Sequence, residues 1–301
     1  MNVLVVGYGS IGRRHCRLLQ ELGCTVAVVS RQEDVPFPCY ASLEEALRFA
    51  EPDYVVVANR THEHYPTLAH LRTLGYQGAI LMEKPLFDSA LLLQPSYLQS
   101  VFTAYNLRFH PVLQRLKRLL KPPVISVQVY AGQYLPDWRD SDYRTSYSAY
   151  RSQGGGVLRD LSHELDYIQW LFGPWTGVCA IGGRHSPLEI ESEDVFALLL
   201  RTSGCPVVSV QMNYLDRIRQ RHVIVNTADQ TYLADLIRHT LQIGRHTEAF
   251  LCDADTTYRS QHQAMLLGRH EQLCSGREAL QTLQLIEQAE RSARLGRWII
   301  G

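Results

Sequence analysis

The stretch Val3-Leu4-Val5-Val6-Gly7-Tyr8-Gly9-Ser10-Ile11-Gly12 decides how the chain begins to fold. Four consecutive apolar residues read as a strand buried on both faces, and the glycines that follow suit the turn from that strand into a helix. Gly7 permits the tight turn, Gly9 lets backbone approach a phosphate, and Gly12 lets helix and strand pack closely. The helix N-terminus, with Ser10 and Ile11 on its first turn, then offers N–H groups and a positive dipole end to a pyrophosphate. Ile11, Leu18, Leu19 and Leu22 lie near one helix face, and a second apolar strand, Thr25 to Val29, follows at the spacing of a βαβ unit.

Length and composition agree with a soluble enzyme. Its 301 residues leave room for two ordinary domains, and 46% hydrophobic with 20% charged residues is a usual globular balance. Thirty basic against thirty acidic residues leave no global field to attract nucleic acid or an anionic membrane, so neither is expected as a partner. No apolar run approaches the roughly 18 residues a membrane span needs. With a strand already begun by Val3, no signal peptide fits in front of it, and a cytoplasmic location is expected. Seven cysteines, an odd number without C-x-x-C spacing, read as reduced thiols rather than a disulfide framework or a zinc site. No metal is expected: His62-x-His64 lacks further ligand spacing, and His163-Glu164 lacks the second histidine of H-E-x-x-H.

The first 120 or so residues alternate strand and helix. Ser42 to Glu45 reads as a capping box, 54–58 as a strand, 67–74 as a helix, 78–82 and 101–104 as strands, and 112–120 as a helix. After Pro122-Pro123 the rhythm changes. A strand over 124–130 leads to a polar, aromatic loop over 132–153, a helix to Leu171, and several strands of period-two patterning over 177–244. Helices over 261–273 and 278–295 complete the chain. The predicted fold class is α/β: an N-terminal Rossmann doubly wound parallel sheet over 1–121, and a C-terminal α+β domain with a largely antiparallel open sheet over 122–301. The final helix is placed to pack back on the first domain. Ligands of such a parallel sheet gather at the carboxyl ends of its strands.

The end of the second strand refines the cofactor. An NAD-preferring site has Asp or Glu there to accept from the ribose hydroxyls; this chain has Ser30-Arg31, which suits a 2′-phosphate, so NADP is expected ahead of NAD. One or two guanidinium groups among Arg13, Arg14 and Arg31 would converge beside that ribose. The alternative is a solvated Arg31 with Glu33 or Asp34 serving the hydroxyls.

Four further segments belong together: Met82-Glu83-Lys84-Pro85, Asn59-Arg60-Thr61-His62, Asn106-Leu107-Arg108-Phe109, and Gly154-Gly155-Gly156-Val157-Leu158-Arg159-Asp160-Leu161-Ser162-His163. With the glycine turn, this combination resembles the Gfo/Idh/MocA oxidoreductases, the glucose-fructose oxidoreductase, inositol dehydrogenase and rhizopine catabolism family. The resemblance implies that Lys84 lies beside the nicotinamide and that Asp160 and His163 from the second domain complete the catalytic site. It also implies that Asn59, Arg60, His62, Glu83 and Arg108 line the cofactor or substrate pocket. One departure is the Asp-to-His spacing, three residues here against the usual four. Either spacing keeps the pair on one helix face, and Asp166, a turn further on, rivals Asp160 as the supporting carboxylate.

Moving a hydride between a secondary alcohol and nicotinamide requires a group that takes or gives the hydroxyl proton. His163 suits that role near neutral pH, with Lys84 holding the substrate hydroxyl and sharing the proton. The family implies a sugar, cyclitol or sugar derivative as substrate. Tyr134, Trp138, Arg139 and Tyr143, with Asp166, have the composition to stack on and hydrogen-bond such a ring. The bland alternative is that these aromatics only pack their loop. Two other functions stay open: a reductase of a non-sugar imine or tetrapyrrole, and a non-catalytic NADP-binding sensor. Arg217, Arg219 and Arg221 read as a solvated or oligomer-facing row along one strand, and a homodimer or homotetramer through the C-terminal sheet is expected.

Overall fold

The computed structural model describes all residues except 139, and residue 95 by its backbone only. The chain opens with β1 (Asn2–Val6), α1 (Ser10–Glu21), β2 (Thr25–Val29), β3 (Cys39–Tyr40), α2 (Leu43–Ala50), β4 (Tyr54–Val57), α3 (His64–Thr73), β5 (Ala79–Met82) and β6 (Val101–Thr103). It continues through α4 (Pro111–Leu119), β7 (Val124–Gly132), α5 (Val157–Asp160), α6 (Ser162–Phe172), β8 (Trp175–Gly183), β9 (Val195–Thr202) and β10 (Cys205–Asn213). Strands β11 (Gln220–Thr227), β12 (Thr231–Asp235), β13 (Thr240–Ile243) and β14 (His246–Ala249) follow, and α7 (Thr256–Leu266), β15 (Cys274–Ser275), α8 (Gly276–Leu295) and β16 (Ile299–Ile300) close it.

The first compact unit holds a sheet in the order β15-β6-β5-β4-β1-β2-β3, parallel throughout except where β15 pairs antiparallel with β6. Val3, Leu4 and Val5 are all buried, so both faces of β1 are covered, as an unbroken apolar strand requires. Cys16, Leu18 and Leu19 are the buried stripe of α1, each leucine contributing on the order of 1.5 to 3 kcal/mol by leaving water. Gly7 leaves β1 with φ of +97°, and a Cβ there would stand 2.8 Å from Ala58 O. Ser42 caps α2 by accepting from Glu45 N at 3.2 Å, as its sequence predicts.

The boundary differs from a single division at 121/122. One unit is Met1–Phe109 with Asp253–Leu280, the other His110–Cys252 with Gln281–Gly301. The chain returns to the first unit because α7 packs on α1 and β15 adds an edge strand to β6. A helix over 261–273 was the expectation; α7 instead ends at Leu266, where Gly268 takes φ of +66° in the turn before β15.

The second unit holds a sheet in the order β14-β13-β12-β11-β7-β10-β9-β8-β16. Its pairs are antiparallel except β7 with β10. Period-two patterning sorts its faces: Val208, Val210 and Met212 of β10 are buried, as are Phe196, Leu198 and Leu200 of β9. Ile181, Leu199 and Val207 remain exposed on the opposite face. Ser292 of α8 binds the sheet directly, its Oγ accepting from Ala180 N at 3.0 Å. Among the described residues no helix is long and apolar enough to cross a membrane.

Candidate active site

In the first unit three neighbouring strands end in register. Val6 pairs with Val57, and Val57 with Met82, so Gly7, Ala58-Asn59 and Glu83-Lys84 emerge side by side at the carboxyl edge of one parallel sheet. The three glycines have separable reasons. A Cβ on Gly12 would lie 2.1 Å from Gly7 O, so Gly12 serves helix–strand packing, whereas a Cβ on Gly9 would meet nothing within 4 Å. Gly9 also begins α1 without a side-chain cap, which leaves the first N–H groups at Ser10 and Ile11 to another acceptor. Beside them Asn59 Nδ2 donates to Thr67 Oγ1 at 2.9 Å, while Asn59 Oδ1 is buried and meets no donor among the described residues. An open glycine face, an uncapped helix start and a buried acceptor together fit a dinucleotide that brings both phosphates and hydroxyls.

The loop carrying Lys84 is held from beneath. His64 is buried, with Nδ1 3.0 Å from Pro85 O and Nε2 3.3 Å from Asn59 O. Burial lowers its pKa, against the hydrogen bonds to the carbonyls of Pro85, Leu86 and Asn59. Glu83 starts a buried chain of hydrogen bonds: Oε1 to His15 Nε2 at 2.9 Å, His15 Nδ1 to His262 Nε2 at 2.8 Å, and His262 Nδ1 to Tyr54 OH at 2.7 Å. Glu83 was legible as part of the lysine motif; His15, His64, His262 and Tyr54 were not, because no spacing rule joins residues from α1, α3, α7 and β4.

The basic residues after the glycine turn divide. Arg14 Nε contacts Asp255 Oδ1 at 2.8 Å and Arg17 contacts Asp255 Oδ2 at 2.6 Å, which commits Arg14 to tying α7 to α1 instead of to a ribose. Arg13 lies over the Tyr8 ring at 5.5 Å. Arg31 is exposed just past β2, and Ser30 Oγ accepts from Gln32 N at 3.1 Å. Arg60 and His62 are exposed at the short turn before α3. Arg108 is buried, with Nη1 2.9 Å from Glu278 Oε1 and 3.3 Å from Leu273 O, so it has a packing role of its own.

In the second unit the expected single helix is two. Leu161, at φ of −97° and ψ of 27°, separates α5 from α6, leaving Asp160 at the end of one and His163 in the first turn of the other. Asp160 is buried, and Tyr214 OH donates to its Oδ2 at 2.6 Å. Trp138 meets the Tyr214 ring edge-on with centroids 5.2 Å apart, and its Nε1 is a buried donor with no acceptor among the described residues. Asp166 is buried on α6, one turn beyond the half-buried His163. Between them Glu164 is fully buried and ion-paired with Arg221 Nε at 2.8 Å.

That pairing corrects the reading of three arginines along one solvated strand: β11 begins only at Gln220, and Arg221 points to a buried carboxylate. Arg217 lies over the Tyr134 ring at 4.1 Å. Tyr143 OH accepts from Glu189 N at 3.3 Å, which is loop packing, and Arg139 lies outside the described residues. Glu193 was not anticipated. Its backbone carbonyl accepts from Val157 N at 3.0 Å, and its carboxylate occupies the space of a Cβ on Gly156, 2.2 Å from that position. Burial pushes this carboxyl up to about 7, against the pull of Arg159.

Comparison with known proteins agrees with this layout. A model described as an oxidoreductase family with an NAD-binding Rossmann fold matches residues 1–94, and one described as a GFO/IDH/MocA C-terminal domain matches residues 123–241. An uncharacterized oxidoreductase of Synechocystis is 29% identical over 54% of this chain and 46% of its own length. The 2,7-anhydro-N-acetylneuraminate hydratase of Escherichia coli is 26% identical over 59% of this chain and 47% of its own. The chain thus matches about half the length of these curated relatives. The structure of a levoglucosan dehydrogenase with NADH and levoglucosan superposes with a TM-score of 0.84 over 100% of this chain and 98% of that one, at 14% identity, a likeness of fold. With one domain of the family matched on each compact unit, the chain belongs to the GFO/IDH/MocA oxidoreductases, an NAD-binding Rossmann domain joined to that family's C-terminal domain.

Proposed function

We propose that the protein transfers a hydride between a nicotinamide dinucleotide and a secondary alcohol or ketone of a sugar, cyclitol or sugar derivative. The observation that carries this reading is the common edge at which Gly7, Asn59 and Lys84 leave β1, β4 and β5. When bound, the dinucleotide supplies the hydride acceptor or donor. The chain's own groups do the remainder: α1 receives the pyrophosphate on its uncapped N–H groups, Asn59 Oδ1 accepts from a hydroxyl, and Lys84 holds the substrate oxygen. His163 takes or returns the hydroxyl proton, with Asp160 as its supporting carboxylate. NADP is preferred over NAD through Ser30 and Arg31.

A sugar-like substrate is supported by the names of the relatives, one an anhydro-neuraminate hydratase and one a levoglucosan dehydrogenase. Trp138 supports it too, presenting a buried indole N–H and an aromatic ring from the loop suited to a pyranose. The exposed Ile181, Leu199 and Val207 favour a homodimer or homotetramer through the open sheet face. The test is a panel of polyols, ketoses and nucleotide sugars with NADH, NADPH and their oxidised forms, read by absorbance of the reduced nicotinamide. Turnover with a carbohydrate is the expected result. Cofactor binding with no turnover across the panel or with added cyclic imines would favour a sensor, and turnover of the imines alone would favour the non-sugar reductase.

A further inference from the structure

His110, His239 and Cys252 meet in the second unit and serve none of the chemistry above. His110 precedes α4, His239 sits in the turn between β12 and β13, and Cys252 follows β14. His110 Nε2 lies 3.1 Å from His239 Nδ1, and one donor atom from each of the three residues lies within 4.8 Å of the others. His110 is buried and the other two are half-buried. Among the described residues this is the one group of three such side chains placed to share an ion.

We propose that this cluster is a Zn²⁺ site. Zinc bonds of about 2.0 to 2.1 Å to nitrogen and 2.3 Å to sulfur, at tetrahedral angles, place two nitrogens roughly 3.3 Å apart and the sulfur roughly 3.6 Å from each. The two imidazoles already stand near that separation, and with the donor atoms all within 4.8 Å of one another the sulfur needs a shift of at most about 1.2 Å to reach bonding distance. Two imidazoles with a thiolate select a borderline-soft ion over magnesium or calcium, and water completes the tetrahedron. Proton accounting is simple. Cys252 loses its S–H proton to solvent as the Zn–S bond forms, while His110 and His239 stay neutral. Val112 N contacts His110 Nδ1 at 3.3 Å. Coordination through Nε2 moves the His110 proton to Nδ1 and gives up that contact, so one proton leaves per zinc bound.

The placement suggests what the ion does. His110 is the first residue of the second unit and Cys252 the last of that unit's first segment, so the ion ties together the two ends of one long excursion of chain. A clip closing so long a loop restrains the unfolded chain most strongly. No spacing motif announced it, because the ligands come from residues 110, 239 and 252.

The test uses the full-length protein, freed of metal by a chelator and dialysed. Zinc is titrated against a chromogenic chelator, proton release is followed in weak buffer, and Co²⁺ replaces Zn²⁺ to report thiolate ligation by its charge-transfer band. Expected are one equivalent bound, about one proton released, a cobalt–thiolate band, and a higher thermal midpoint with zinc. Cys252→Ser should abolish the band and weaken zinc binding by at least about tenfold. His239→Asn should weaken it similarly while suiting that residue's φ of +56°. Circular dichroism verifies that both variants are folded. Failure to retain one equivalent, or retention unchanged in both variants, overturns the proposal and assigns any binding to surface histidines.

Discussion

The Tyr214 hydroxyl donates to Asp160 Oδ2 across 2.6 Å, with both side chains buried in the second unit. A charge-assisted bond in such surroundings fixes the carboxylate's orientation. Tyr214→Phe should therefore cost about 1 to 3 kcal/mol of stability in chemical denaturation. If Asp160 supports proton transfer, turnover should fall while KM stays within a few-fold. Lost stability with unchanged turnover would make Asp160 a structural residue only.

Gly9 and Gly12 should part company. A Cβ at 12 would collide with Gly7 O, so Gly12→Ala should lower the thermal midpoint sharply, whereas Gly9→Ala meets no protein atom within 4 Å and should fold like the wild type. If Gly9 is open because a pyrophosphate approaches it, Gly9→Ala should nonetheless weaken dinucleotide binding by at least about tenfold. Unaltered cofactor titration in folded Gly9→Ala would remove the phosphate from that position.

Much of this was readable in advance because it is local. The alternation of strand and helix, the cap at Ser42 and the inward face of β10 follow from adjacent residues and their periodicity. Misread features depend on residues far apart in sequence. Arg14 belongs to Asp255, Arg221 to Glu164, and β15 to β6, and in each case the partner lies at least 57 positions away. The motif lysine was visible as a motif, but the histidines beneath it, His64 and His15, become comprehensible only once β4 and β5 lie side by side.

The proposed preference for NADP rests on Arg31, now that Arg14 is engaged elsewhere. Arg31→Ala should weaken NADPH binding by roughly ten- to a hundredfold, the equivalent of about 1.5 to 3 kcal/mol, and leave NADH nearly unchanged. Fluorescence titration with both nucleotides decides it. Equal losses, or a wild type that already prefers NADH, would contradict a 2′-phosphate contact.

Glu193 gives a pH signature with a definite sign. Its folded pKa is raised to about 7 by burial, so the native state holds a proton that the unfolded chain releases near the ordinary carboxyl value of 4.5. Its contribution to stability is present below about 4.5 and is lost as pH rises through about 7. Measured from pH 5 to 8, the difference in thermal midpoint between Glu193→Gln and wild type should grow in favour of the variant. A constant difference would mean that the carboxylate is ionised in the folded protein throughout.

Lys84→Met tests the central claim most directly, measured for cofactor affinity by nucleotide fluorescence and for turnover by reduced-nicotinamide absorbance on a carbohydrate that the wild type accepts. The account predicts affinity within a few-fold of wild type and turnover lower by at least about a hundredfold, as loss of a group that handles the substrate proton should give. Turnover near the wild-type rate would contradict it.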